Sequence, residues 1–276
     1  MPELPEVETI VRELRSSGLA GQKIAKCIIK RPSLIRGRPL FGFIRQLTGR
    51  RIVSVERRGK FLVFTLSGGL FLFVHLRMSG QFDLVAARQP KDKHQHIFLL
   101  LDDGLELRYR DVRMFGRWQL TENPSEIICR LGPEPLAAAF KAKDLALILK
   151  GRRRQLKSLL LDQGAIAGIG NIYADEALWE AKLHPKRLSN SLNAAEIGVL
   201  YRAIRLVLRR GIRNKGTSLG AGAGNYRRLD TQRGKNQNSL RVSRQKGSYC
   251  PRCRRPLVKI KIGQRSTYFC PHCQKL

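Results

Sequence analysis

The stretch Phe61-Leu62-Val63-Phe64-Thr65-Leu66-Ser67-Gly68-Gly69-Leu70-Phe71-Leu72-Phe73-Val74-His75-Leu76 decides how the first half of this chain folds. Two runs rich in aromatic and aliphatic residues flank Ser67-Gly68-Gly69, a hairpin signal. Similar short runs surround them, at Ile24 to Ile29, Ile52 to Arg57, Gln81 to Val85, His96 to Leu101 and Leu105 to Tyr109. The last two flank Asp102-Asp103-Gly104, another turn. Short strands at this spacing predict a sandwich or barrel. Upstream, Val7, Ile10, Val11 and Leu14 repeat with the helical period, and Gly18 stands where a helix over Pro5 to Arg15 should stop. The first domain is therefore read as residues 1–122, mainly β and opened by one helix.

Composition narrows the partner. The chain has 276 residues, long enough for two cores. Its 53 Lys and Arg face 21 Asp and Glu, a formal charge of +32, which implies a polyanion such as nucleic acid. A membrane is not expected: no apolar run approaches the ~20 residues needed to span one. The start carries Glu3, Glu6, Glu8 and Glu13, unlike a signal or transit peptide. Charge alone would also suit a ribosomal or packaging protein. Cys27 and Cys129 stand alone in apolar surroundings and read as small buried hydrophobes.

The N-terminus, Met1-Pro2-Glu3-Leu4-Pro5-Glu6, carries possible chemistry. Pro2 is a residue from which an initiator Met is commonly trimmed, and trimming would expose a secondary amine. An α-amino group has a pKa of roughly 7.7–8.0, so a useful fraction is nucleophilic near neutrality. Attack on an aldehyde-like carbon gives an imine, an electron sink. Glu3 and Glu6 could move protons beside it. The plainer alternative is that Pro2 and Pro5 only start a helix. Lys60 opens a strand after Arg57-Arg58-Gly59, where an ordinary surface lysine would also fit. Met78, in His75-Leu76-Arg77-Met78-Ser79-Gly80, and Phe115, beside Arg113, are wedge and guanidinium candidates for filling an emptied base stack. Core packing is the alternative for both apolar side chains.

Residues 123–150 contain Asn123-Pro124 and Gly132-Pro133-Glu134-Pro135 and read as a linker. A helical domain over 151–238 follows. One helix is expected over Arg152 to Asp162, a second from Asn171 through Trp179, and a third over Asn193 to Arg210 with Asn193 and Glu196 as a capping box. Between the first two, Gly168 and Gly170 permit a tight turn whose bare N–H groups could hold a phosphate. From Ile197 onward Asp230 is the sole acidic residue, and 216–246 reads as a long loop. The last domain, 239–276, holds Cys250-x2-Cys253 and Cys270-x2-Cys273 with sixteen residues between the pairs, the spacing of a four-thiolate zinc site. Zinc would be structural, with His272 a bystander and Arg265 presented on a hairpin between Pro256 to Ile262 and Ser266 to Phe269.

Several segments together resemble one family. Met1 to Thr9, Gly170-Asn171-Ile172-Tyr173-Ala174-Asp175-Glu176-Ala177-Leu178, His184-Pro185 and the terminal finger are similar to formamidopyrimidine-DNA glycosylases. The resemblance implies an α+β chain: an N-terminal β-sandwich, then a helix-two-turn-helix domain with a zinc-finger hairpin, and damaged double-stranded DNA held between them. It implies excision of 8-oxoguanine and formamidopyrimidines, with Pro2 attacking C1′, Glu3 as acid/base, Glu6 helping to hold the base and Lys60 contacting phosphate. His75, Asn171 and Arg265 match phosphate contacts, Met78, Arg113 and Phe115 the stack-filling triad, and Lys157 a further DNA contact. One structural zinc is the only cofactor implied. A monomer in a bacterial cytoplasm, on the nucleoid, is expected. Two departures stand out: 219–237 is unusually rich in Gly and Arg, and Val242-Ser243-Arg244 replaces Tyr-Gly-Arg. An endonuclease VIII-like enzyme for oxidised pyrimidines is the alternative; Leu4 and the Arg113/Phe115 pair favour purines. A non-catalytic zinc-stabilised DNA binder is the alternative of a different class.

Overall fold

The computed structural model describes residues 1–220, 222, 224–243 and 247–276. Residues 221 and 223 of the atypical loop, and Arg244, lie outside the described residues. The chain divides into two compact units, one of Met1–Ile128 with Asn214–Gln237, the other of Cys129–Arg213 with Asn238–Leu276.

The first unit opens with α1 (Leu4–Ser16). Its apolar stripe of Leu4, Val7, Ile10, Val11 and Leu14 is buried, and Gly18, at φ 76°, takes the left-handed conformation that ends it. Then come β1 (Ile24–Ile29), β2 (Ile35–Arg36), α2 (Leu40–Leu47), β3 (Ile52–Arg58), β4 (Phe61–Leu66), β5 (Leu70–His75), β6 (Gly80–Ala86), β7 (Gln95–Leu101), β8 (Leu105–Asp111), β9 (Arg117–Thr121) and α3 (Ser125–Ile128). Two sheets form, in orders β1-β7-β8-β6 and β2-β9-β5-β4-β3. Their inner faces and α1 share one core, with Phe82, Tyr109 and Trp118 in edge or tilted ring contacts 5.3–5.7 Å apart. The expected β-sandwich with an N-terminal helix is therefore present. The strands β2 and β9 and helix α2 had no clear sequence signal. The β2 strand is two residues long, and Trp118 becomes a strand residue by pairing with Ile35 and Val74.

The second unit contains α4 (Ala142–Lys150), α5 (Leu156–Leu161), α6 (Asn171–Glu180), α7 (Ala194–Arg213), β10 (Val258–Ile262) and β11 (Arg265–Phe269). The capping box forms as expected: Asn193 N–H donates to Glu196 and Glu196 N–H to Asn193 Oδ1, each at 2.9 Å. Three expectations change. The 123–150 linker is not a plain connector, because α4 buries Leu145 and Leu149. The helix expected from Arg152 starts only at Leu156. Before it the backbone is extended and bridges Gln155 to Leu188, and Arg187 O takes the Leu156 N–H. Residues 214–237, expected in the helical domain, join the first unit because Tyr226 enters its core. Cys27 is buried, as expected, but Cys129 is exposed.

Gly211 shows where packing outweighs propensity. A Cβ there would meet the Tyr173 hydroxyl at 2.5 Å, and that ring is buried. Ala in a helix gains about 1 kcal/mol over Gly, whereas overpacking a core costs about 1–3 kcal/mol. Gly211→Ala is therefore expected to lower the unfolding free energy, measured in urea; a gain in stability would contradict this packing account.

Candidate active site and metal centre

Pro2 is buried at the head of α1. The next residue, Glu3, caps the helix, and its N–H donates to Glu6 Oε2 at 2.8 Å while its carboxylate accepts the Glu6 N–H. Such a reciprocal box satisfies two orphan donors and places negative charge at the positive end of the helix. Both carboxylates are buried. The second Glu6 oxygen, Oε1, accepts the Thr217 N–H at 2.7 Å, so a residue far along the chain closes the same site.

Lys60 sits in the two-residue turn joining β3 to β4, where Gly59 takes φ 58° and Arg58 pairs with Phe61. It is 5% exposed, so it is no ordinary surface lysine. His75 is reached through the same hairpin, opposite Phe61, whose ring meets the imidazole edge-on at 5.0 Å. The Arg77 N–H donates to His75 Nδ1 at 2.9 Å. In the neutral ring the proton therefore lies on Nε2, which makes that nitrogen a donor. Burial first, then the charges of Arg77, Lys60 and Arg117, pushes the His75 pKa down to about 3. Arg36 and Arg117 likewise crowd Arg77, lowering its pKa after burial has done the same. Cations gathered in this way make a seat for an anion.

The stack-filling candidates occupy two turns. Met78 is 42% and Phe115 50% exposed, so core packing does not explain them. The Arg113 guanidinium lies 4.8 Å from the Phe115 ring centroid and donates to the Met78 sulfur at 3.1 Å. The structure thus brings these three side chains together. Beneath them is Asp111, fully buried, which accepts from the Ser79 hydroxyl, the Arg113 N–H and the Gly116 N–H. Gly80 and Gly116 both approach the Tyr109 hydroxyl so closely that a Cβ would collide with it. Sequence reasoning missed Asp111 because its link to Ser79 joins two turns far apart in sequence.

In the second unit, Gln163 closes the Gly-rich turn by donating to Leu161 O and Ile169 O and accepting the Gly168 N–H. Asn171 begins α6 and donates to Ser266 O at 3.0 Å. Arg265 is exposed and is the first residue of β11, since Gly263 and Gln264, at φ 51° and 64°, alone make the tip. Lys157 departs from its expected place. It is 0% exposed, with its ammonium 2.6 Å from Asp175 Oδ1 and 2.8 Å from Ser266 O. There it joins α5 to α6 and β11. Burial raises the Asp175 carboxyl to about 7, although this ammonium pulls against it. Glu176 accepts the N–H groups of Arg241, Val242 and Ser243, which seats the atypical segment before the finger. A carboxylate beside Asp175 in mid-helix gives no sequence sign of such a role.

The four cysteines converge, all Sγ atoms lying within 4.8 Å of one another. The Cys250–Cys273 and Cys253–Cys270 separations, 3.9 and 3.5 Å, bracket the edge of about 3.8 Å expected for a zinc tetrahedron with Zn–S of about 2.3 Å. Burial raises the Cys250 thiol, but the Trp179 indole N–H at 3.4 Å and the N–H groups of Cys253 and Arg252 bring it below its ordinary value. That favours the thiolate at Cys250, whereas burial and the neighbouring cysteines raise the Cys270 and Cys273 thiols. The donor set fits one structural zinc, and four thiolates leave no open coordination position. His272, exposed, is outside the cluster. The knuckle is pinned to α6 by Arg252, stacked 4.1 Å from the Trp179 ring.

Comparison with known proteins agrees with this geometry. The formamidopyrimidine-DNA glycosylase N-terminal domain matches residues 1–118, the formamidopyrimidine-DNA glycosylase H2TH domain 131–221, and the zinc finger found in FPG and IleRS 247–276. A formamidopyrimidine-DNA glycosylase of Protochlamydia amoebophila is 46% identical, covering 100% of both chains. A solved complex of Lactococcus lactis Fpg with DNA containing an abasic site has a TM-score of 0.91 at 36% identity, covering 99% of this chain and 100% of that one. MutM (Fpg) from Thermus thermophilus gives 0.88 at 41% identity, with 99% and 98% covered. Fold and finger together define a zinc-stabilised DNA glycosylase. The chain belongs to the formamidopyrimidine-DNA glycosylase family.

The depressed His75 pKa has a measurable consequence. An unfolded imidazole titrates near ~6.5 and takes up its proton before the folded one does as pH falls. The His75 contribution is thus complete above pH ~6.5 and is lost as pH drops toward the folded value of about 3. In an NMR titration from about pH 8 to 5 the His75 ring resonances are expected not to move. A midpoint near ~6.5 would show the ring exposed and the Arg77 contact absent.

Proposed function

We propose that this chain is a bifunctional glycosylase and abasic-site lyase that removes oxidised purines, chiefly 8-oxoguanine and formamidopyrimidines, during base excision repair. The observation that carries the reading is the buried Glu3–Glu6 box immediately after Pro2, at the start of a rigid helix. Once Met1 is removed, the Pro2 nitrogen is a secondary amine. Its lone pair attacks C1′ of the damaged nucleotide. The base leaves with its bonding electrons and a proton, and Glu3 protonates the sugar oxygen as the ring opens. The resulting iminium acidifies the C2′ proton. Loss of that proton expels the 3′ phosphate, and a second elimination expels the 5′ phosphate. Water then hydrolyses the imine and frees the amine. A one-nucleotide gap remains, with phosphate at both ends.

Glu6 helps hold the extruded base. Lys60 and the neutral His75 donate to backbone phosphate, as Asn171 and Arg265 do from the second unit. Met78, Arg113 and Phe115 fill the vacated stack, a role their exposed apolar and guanidinium surfaces suit. The relative from Lactococcus lactis was solved with abasic-site DNA; damaged duplex is the partner proposed here. The enzyme acts as a monomer on the cytoplasmic nucleoid. Among the described residues no helix is long and apolar enough to cross a membrane.

Borohydride reduction in the presence of abasic duplex is expected to trap a covalent adduct whose cross-link maps to Pro2, and Pro2→Glu is expected to abolish it. A cross-link on any lysine, with Pro2 dispensable, would overturn the mechanism. Lys60→Ala is expected to slow 8-oxoguanine excision about tenfold more than abasic-site cleavage, measured as kcat/KM on the two duplexes. Equal losses would contradict the phosphate role beside an intact base.

A further inference from the structure

The face of α1 that carries Glu6 does not end there. Thr9 follows three residues on and Glu13 seven, so all three lie along one stripe about 10 Å long. The returning segment 214–237 grips that stripe at each step. Thr217 N–H donates to Glu6. The Tyr226 ring is buried against the same helix, with a side-chain hydrogen bond to Thr9, and its phenol pKa is raised by burial first and then by Glu6 and Glu13. At the far end, the Arg228 guanidinium donates to Glu13 Oε1 at 2.6 Å and the Leu229 N–H to Oε2 at 2.9 Å. Both side chains are largely buried, at 11% and 18% exposure, so this pair is shielded from solvent.

From Glu13 the constraint passes to Glu6 through bonds within the segment. Ser218 Oγ donates to Tyr226 O and accepts the Gly234 N–H. The Gly234 backbone in turn lies so close to Gly216 that a Cβ on Gly234 would collide with Gly216 O. Asn236 bonds both Gly216 O and the Thr217 hydroxyl. The arm that Arg228 anchors therefore sets where the Thr217 and Ser218 amides stand. We infer that Glu13, through Arg228, is a positioning residue for base excision: it fixes the loop that completes the Glu6 site, and it acts on the step that needs a base held there. The inference rests on the reading that Glu6 helps hold the damaged base. Glu13 touches no reacting atom.

The test compares two duplexes, one with 8-oxoguanine opposite C and one with a preformed abasic site, for wild type, Glu13→Gln, Arg228→Gln and the double variant. Each single variant is expected to lose about fivefold in kcat/KM on 8-oxoguanine, with abasic-site cleavage within about twofold of wild type. The double variant is expected to lose little more than either single one, because both break the same Glu13–Arg228 pair. Hydrogen exchange at the Thr217 amide should quicken in Glu13→Gln. Equal losses on both duplexes, additive losses in the double variant, or an unchanged 8-oxoguanine rate would overturn the inference. If wild type spares 8-oxoguanine but cuts thymine glycol opposite A, the substrate reading fails. The same ratio, measured on thymine glycol, then decides the role of Glu13 independently.

Discussion

The Glu6 carboxylate is the contact on which the N-terminal site depends. One oxygen binds the Glu3 N–H and the other the Thr217 N–H, so a single buried side chain joins the start of α1 to a segment more than two hundred residues away. A buried charge persists only when its lone pairs are met by donors. Here the donors are backbone amides, which cannot rotate away as side chains can. The result is that the helix that follows Pro2 is tied to the returning segment through one shared carboxyl group.

The anion seat around His75 works by the opposite arrangement. Lys60, Arg77 and Arg117 raise the local positive potential, and Arg36 adds to it at Arg77. Folding tolerates this crowding because His75 stays neutral and so contributes a directed N–H without adding charge. Its Nδ1 is occupied by the Arg77 N–H, which fixes the tautomer. A polyanion entering such a seat would relieve repulsion as well as form hydrogen bonds, which makes binding favourable and strongly dependent on salt.

Much of the fold was legible because the relevant forces are local. Hairpins with Gly at 68, 69 and 104 require positive φ, and the strands that flank them follow from alternation. The two CxxC pairs announced the zinc site, since a small hairpin cannot hold itself without metal. Lys157 was expected at DNA only through the resemblance, which matched it to a basic residue of the helical domain. Its true surroundings, Asp175 and Ser266, come from α6 and β11, and no spacing rule links the three. Residues 214–237 were assigned to the wrong unit for the same reason. Their partners, Glu6, Glu13 and Gln81, are all distant in sequence.

By itself, then, the chain's sequence determined most of the element types and the metal ligands, because periodicity, turn chemistry and thiol spacing act over a few residues. Tertiary structure alone decided which charges pair and which stay open. Glu13 with Arg228, Lys157 with Asp175 and Asp111 beneath two turns each join parts that only packing brings together. The physical reason is that a charge is stabilised by whatever reaches within a few ångströms of it, and sequence distance carries no information about that.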